Sequence, residues 1–278
     1  MAKPTEPVQG AWWTERELGP EEGLRLAIGP LDLSVYRQRD EWQICQGWSA
    51  AHGGDSDRLV VEAISEYRPA PDCLQRFAVR GQKSRLRLLP TMADRPIVAR
   101  PRMPLFVPAG EAIQIFISSP VWLEVAVGDP WRALLQVPTK RLSDTWVGGS
   151  TRDGELAYAI RTVARKQLES VPVRPYRAIT PLVIRNRADD MLAVEHLNLP
   201  APYLSVFATP QGRLWTEAIT MSRTENGEMA ALEIGRGAPA AAGEAECLTA
   251  PRQRGGRNLL VRAFSSLLHP FVGGNIDE

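Results

Sequence analysis

Histidine and cysteine are scarce in this chain, three of each among 278 residues, and the scarcity excludes a good deal. His52, His196 and His269 lie far apart. Cys45, Cys73 and Cys247 show no C-x-x-C and no Cys/His ligand spacing, so neither a structural zinc site nor a disulfide framework is expected. The three thiols read as reduced. No Ser-His-Asp or Cys-His set can be assembled from spacing. The G-x-x-x-x-G-K-[ST] phosphate loop and the G-x-S-x-G nucleophile elbow are both missing. No run approaches ~18 apolar residues, so no helix that spans a bilayer is expected. The N-terminus, "MAKPTEPVQGAWW", has no apolar core of a secretory signal. A cytoplasmic location follows as the expectation, with no cofactor and no bound metal. The loop "HGGDSD" sets His52, Asp55 and Asp57 together, which are metal-ligand types, but a loop of Gly, Asp and Ser is the plainer reading.

Net charge is also small, +1 at neutral pH, which disfavours nucleic acid as a partner. Its distribution is uneven. Residues 1–75 carry seven Lys/Arg against thirteen Asp/Glu, residues 76–104 eight against one, and residues 140–187 ten against four. Either the two basic segments share a face that meets an anionic partner, or their arginines point outward from alternating strands and pair with the acidic third. The second reading is preferred.

What the chain does have is alternation. "LRLAIG" (24–29), "LDLSVYRQ" (31–38) and "EWQICQGW" (41–48) are short period-2 runs between turn residues. Similar runs recur at 57–67, 74–81, 84–90, 112–119, 121–128 and 131–138. Residues 95–110 hold four prolines, which suit a sheet edge. With 23 Pro and 22 Gly there is little room for long helices. Residues 154–170 fit both periods and are assigned to a strand. The expected fold is all-β: two antiparallel β-sandwich-like units, the second immunoglobulin-like, with a short C-terminal helix. The expected division is an extension (1–20), a first β-sandwich (21–170), a smaller β unit (171–236), a flexible linker (237–256) and an amphipathic helix (257–270). A turn is expected at Pro210-Gln211-Gly212. The eight tryptophans are read as core, an exposed row of them being the alternative.

Three features bear on function. "TKRLSDTWVGGSTRDGELAYA" (139–159) gathers charged and hydroxyl groups around Gly148-Gly149. Arg141, Ser150, Thr151 and Arg152 are its candidate ligand-binding residues, because backbone N–H groups at a Gly-Gly turn with nearby guanidinium groups can hold an anion. Asp144, Asp153 and Glu155 are the candidate catalytic acids and bases. A polar loop bonding its own backbone, with Trp146 as anchor, is the plainer reading. The third feature is the expected helix, in which Leu260, Phe264 and Leu268 fall at i, i+4, i+8 with Arg262 beside them, a pattern for docking on a protein partner or an anionic surface. The alternative is that the helix folds back on the chain's own sheet.

The runs "RLSDTWVGGSTRDGELAYA" and "YRAITPLVIRNRADDMLAVEHLNLPAPYLSVFATPQGRLWTEAIT" resemble a family of prokaryotic proteins of unknown function, from about residue 20 to 225. The resemblance implies no catalytic residue. It implies an accessory role near small mechanosensitive channels, and so a membrane-proximal partner. The function expected is a cytoplasmic binding or regulatory module that contacts a protein or anionic partner, with the question of enzymatic activity left open and the balance against it. The alternative is an enzyme acting on an anionic or sugar-like small molecule at residues 140–155.

Overall fold

A computed structural model describes residues 11–49, 57–79, 84–147, 154–223, 229–255 and 258–262. In chain order the strands begin with β1 (Thr14–Glu17), β2 (Glu22–Ile28), β3 (Leu31–Arg37), β4 (Glu41–Trp48), β5 (Leu59–Ile64), β6 (Leu74–Ala78) and β7 (Arg85–Thr91). Then come β8 (Ile97–Pro101), β9 (Leu105–Val107), β10 (Ala112–Pro120), β11 (Trp122–Val127), β12 (Arg132–Pro138), β13 (Ser143–Val147) and β14 (Glu155–Thr162). The remainder are β15 (Arg177–Asn186), β16 (Leu192–Val194), β17 (Leu197–Leu199), β18 (Val206–Ala208), β19 (Leu214–Trp215), β20 (Ile219–Arg223), β21 (Met229–Ile234), β22 (Glu246–Thr249) and β23 (Asn258–Arg262). The protein is all-β. Among the described residues its helical turns are three-residue pieces, Leu168–Ser170, Ala201–Tyr203 and Ala240–Ala242, and no helix is long and apolar enough to cross a membrane.

Alternation builds the first sheet, in the order β5-β2-β3-β4-β6. Leu24, Leu26 and Ile28 on β2 and Leu31, Leu33 and Val35 on β3 are all buried, so one face of the hairpin is core. The two strands turn at Gly29-Pro30, where Gly29 takes φ +54° and leaves no room for a side chain against Tyr176. Two four-stranded sheets follow, β1-β7-β11-β12 and β13-β14-β8-β17. The largest sheet runs β22-β18-β19-β15-β20-β21-β23, with β10 also on β15, and β9 pairs with β16 as a short ribbon.

Several expectations are revised here. The boundary at 170/171 does not separate two packing units. β10 and β15 form a nine-residue antiparallel ladder across it, and one apolar cluster runs from Trp12 through Leu88, Ile117 and Leu182 to Ile234. Trp12 Nε1–H donates to the Pro175 carbonyl at 2.7 Å, and Thr139 Oγ1–H lies within bonding distance of the Val121 and Tyr176 carbonyls. The large sheet is mixed, since β15 is parallel to both β19 and β20. That pairing lies outside a purely antiparallel sandwich.

The expected linker is packed. β22 pairs with β18, and Ala238, Ala242 and Ala245 pack on Phe116, Val171, Ile179, Phe207 and Trp215. Thr249 Oγ1–H donates to the Pro90 carbonyl and Arg252 Nε–H to the Met92 carbonyl. Small side chains let this segment lie flat on the sheet, which its lack of large apolar groups disguised. The expected helix is corrected as well, because Asn258–Arg262 is a strand on β21. An open sheet edge supplies partners for the backbone that a five-residue stretch cannot supply alone. Residues 263–270 lie outside the described residues. The 154–170 strand ends at Thr162 and gives way to the turn at Leu168–Ser170.

The reduced-thiol expectation is corrected too. Cys45 on β4 and Cys73, just ahead of β6, form a disulfide with Cα atoms 5.0 Å apart. Register explains the bond: Cys45 lies opposite Leu74 on the adjacent strand, which brings its neighbour Cys73 within reach. The Pro210–Gly212 turn closes as expected, with Gly212 N–H donating to the Thr209 carbonyl. The tryptophan expectation holds for Trp12, Trp42, Trp122 and Trp215, which are core, and is corrected for Trp146, which is exposed rather than an anchor.

Candidate anion site

Several arginines of the basic segments are paired with acids. Arg76 meets Glu41 at 2.8 Å, Arg85 meets Asp129 at 3.0 Å and Arg95 meets Asp144 at 3.3 Å. Arg174 lies 3.4 Å from Asp57. Arg76 and Arg85 lie on strands and are balanced by acids, as the preferred reading expects.

Of the residues singled out at 139–159, Arg141, Asp144 and Glu155 are among the described residues. Arg141 stacks on the Trp48 ring, 4.0 Å from its centroid. Asp144 is held by Arg95, whose guanidinium also lies over the Tyr158 ring at 5.4 Å. Tyr158 donates to Asp94 at 3.0 Å, and burial, then that carboxylate, pushes its phenol pKa up. On the β13–β14 ladder Asp144 lies opposite Tyr158, and Glu155 opposite Val147. Those registers are odd-numbered steps apart, so the two carboxylates face opposite sides of the sheet and do not form an acid–base pair. Ser150, Thr151, Arg152 and Asp153 lie outside the described residues. At the other end, β23 sets Leu260 opposite Ala231 and Arg262 opposite Met229. Phe264 and Leu268 lie outside the described residues. Among the described residues no group of three His, Cys, Asp or Glu side chains is placed to hold a metal.

A different residue stands out. Along β3 the buried positions Leu31, Leu33 and Val35 continue in phase to Arg37, a cation at an inward site that is 5% exposed. Its Nη1–H donates to the Leu18 carbonyl at 2.7 Å. A guanidinium has five N–H groups in a fixed fork, and among the described residues no carboxylate lies within ion-pair distance. Burying a charge without a counter-ion costs several kcal/mol, so the position calls for a partner.

The surroundings supply a cavity of about 480 Å³ lined by Pro20, Glu21, Arg37, Gln38, Arg39 and Ser84. Local backbone holds it open. Glu21 sits at φ +67° and its N–H donates to the Arg37 carbonyl at 2.7 Å, a left-handed turn that is costly for a residue with a side chain. The Glu22 carboxylate caps that turn by accepting from Gly19 N–H at 2.6 Å. Leu18 N–H donates to the Ser84 carbonyl at 2.9 Å, so β1 and β7 clamp the near wall. Gln38 N–H donates to the Glu41 carbonyl at 2.8 Å, which fixes the β3–β4 turn carrying Arg39. Arg37, Arg39 and Ser84 thus line one concavity together with the acid Glu21. Sequence reasoning passed over Arg37, although the signal was available: in "LDLSVYRQ" the arginine shares the phase of the apolar residues.

A family model described as a protein of unknown function, DUF432, matches residues 12–269. Among the curated proteins and among the solved structures nothing matches the chain.

Proposed function

The chain belongs to the DUF432 family, whose function is unknown, and we propose that it acts as a binding module for a small anionic ligand seated on Arg37. The observation that carries this reading is a guanidinium almost wholly removed from solvent, without a carboxylate partner among the described residues, lining a cavity of molecular size. A carboxylate or phosphate oxygen pair would match its fork, and Arg39 would add a second charge at the mouth. Glu21 lines the same cavity. It would repel a bare anion and favour one that also carries a hydroxyl or amino donor, so a hydroxy acid, an amino acid or a phosphate monoester fits better than sulfate.

Isothermal titration of the full-length protein with glycolate, serine and glycerol phosphate in chloride buffer tests the reading. Saturable binding is expected, weakened by salt, about tenfold or more weaker in Arg37→Met and severalfold weaker in Arg39→Ala, whose exposed position leaves the core intact. Absence of binding by all three probes overturns the proposal. So does wild-type affinity in both Arg39→Ala and Arg37→Lys, the second of which keeps a cation but loses the fork.

A further inference from the structure

A second buried charge lies at the opposite end of the chain and has the opposite sign. Glu217, in the corner between β19 and β20, is 7% exposed. Its Oε2 accepts the Ser205 N–H at 2.8 Å, and among the described residues no cation lies within ion-pair distance. The corner that carries it is rigid, since Thr216 Oγ1 bonds Thr180 Oγ1 at 2.8 Å and Thr216 is fully buried. Glu217 lines a cleft of about 420 Å³ whose walls include Tyr203, Phe207, Ile234 and Cys247, with Arg254 also lining it from an exposed position.

Glu217 and Cys247 line the same cleft. Although Cys247 is exposed as a residue, partial burial of its sulfur is the first cause that pushes the thiol pKa up, followed by the negative charge of Glu217, with Glu246 adding to it and the Thr249 carbonyl bond opposing it. Carboxylate and thiol therefore share one space. Cys247 lies opposite Phe207 on the β18–β22 ladder, and its side chain is exposed, so the thiol reports on what enters.

We propose that this cleft binds a primary amine, its ammonium group on Glu217 and its alkyl stem against Tyr203, Phe207 and Ile234. A desolvated carboxylate with one lone-pair direction satisfied retains acceptor capacity for a cation. The apolar walls favour a short methylene chain. Arg254 sets the preference for the far end of the ligand: a carboxylate or neutral tail is accepted and a second ammonium is disfavoured. The preferred ligand is therefore an ω-amino acid. This site is separate from Arg37, and either can fail without the other.

The test uses the full-length protein with 4-aminobutyrate, n-butylammonium and n-butanol as probes. Iodoacetamide labelling of Cys247, localised by peptide mass spectrometry, is followed with and without each probe. 4-Aminobutyrate and n-butylammonium are expected to slow labelling at least threefold, and n-butanol is not. Glu217→Gln keeps an oxygen for Ser205 N–H and should hold its melting temperature, yet lose the protection and bind the amines at least tenfold more weakly by titration. The same variant should label Cys247 at lower pH, because the carboxylate no longer opposes the thiolate. Protection by n-butanol equal to that by the amine overturns the proposal, as do unchanged amine binding in Glu217→Gln and the absence of any protection.

Discussion

The backbone of Gly29 lies so close to the ring of Tyr176 that a Cβ there would sit 2.6 Å from Cδ1. Both residues are held: Gly29 at φ +54° in the β2–β3 turn, Tyr176 fully buried ahead of β15. Gly29→Ala is expected to cost roughly 2–5 kcal/mol, from a left-handed conformation that Cβ opposes and from overpacking against the ring. Gly47 on β4 meets nothing within 4 Å at the same imaginary atom, so Gly47→Ala should stay within about 0.5 kcal/mol of wild type. Urea denaturation of the two variants side by side measures the difference.

The Cys45–Cys73 bond closes a loop with a sequence separation of 28. Chain-entropy reasoning gives such a loop roughly 3–4 kcal/mol of stabilisation. Cys45→Ser with Cys73→Ser should lower the melting temperature by about 6–16 °C, at about 2–4 °C per kcal/mol for a chain of this size. Mass spectrometry of protein alkylated without reductant should find Cys247 modified and the other two not. The same measurement on freshly lysed cells reports the compartment, since structural disulfides persist where the surroundings oxidise.

Tyr36 and Tyr67 stack at 4.9 Å with planes 17° apart. Burial pushes both phenols up, Tyr67 to about 12, and the Tyr67 hydroxyl is buried without a hydrogen-bond partner. In the unfolded chain these groups ionise near ~10. Their folded pKa values are raised, so the stability they contribute is fully present below ~10 and lost as pH climbs toward about 12. Absorbance at 295 nm should show Tyr67 ionising last. Tyr67→Phe should flatten the decline in melting temperature over that interval. A decline as steep as that of the wild type would refute the assignment.

Much of the fold was legible because buried strands announce themselves by alternation, as the β2–β3 and β11 residues do. What was not legible came from long-range partners. Leu260, Phe264 and Leu268 fall at helical spacing, and only the open edge of β21 decides for a strand at Asn258–Arg262. The Ala-rich segment around Ala240 looked too small-sided to pack, until β18 and the Phe207 cluster offered a flat surface. Cys45 and Cys73 have no spacing rule between them; strand register alone joins them. As for the candidate site, the polar residues near Gly148 attracted notice by composition. Arg37 was visible only by asking which strand residue violates the sidedness of its neighbours.

The ladder between β10 and β15 also governs what a partial chain would be. A nascent polypeptide lays down Ile115 and Ile117, both wholly inaccessible in the finished protein, well before their partner strand exists. A product that ends at the β14 turn would keep β10 without its mate: nine residues of unpaired backbone with bare isoleucines, an adhesive edge. Severed pieces of this protein would seek each other, or any other strand, before they would behave as two smaller proteins.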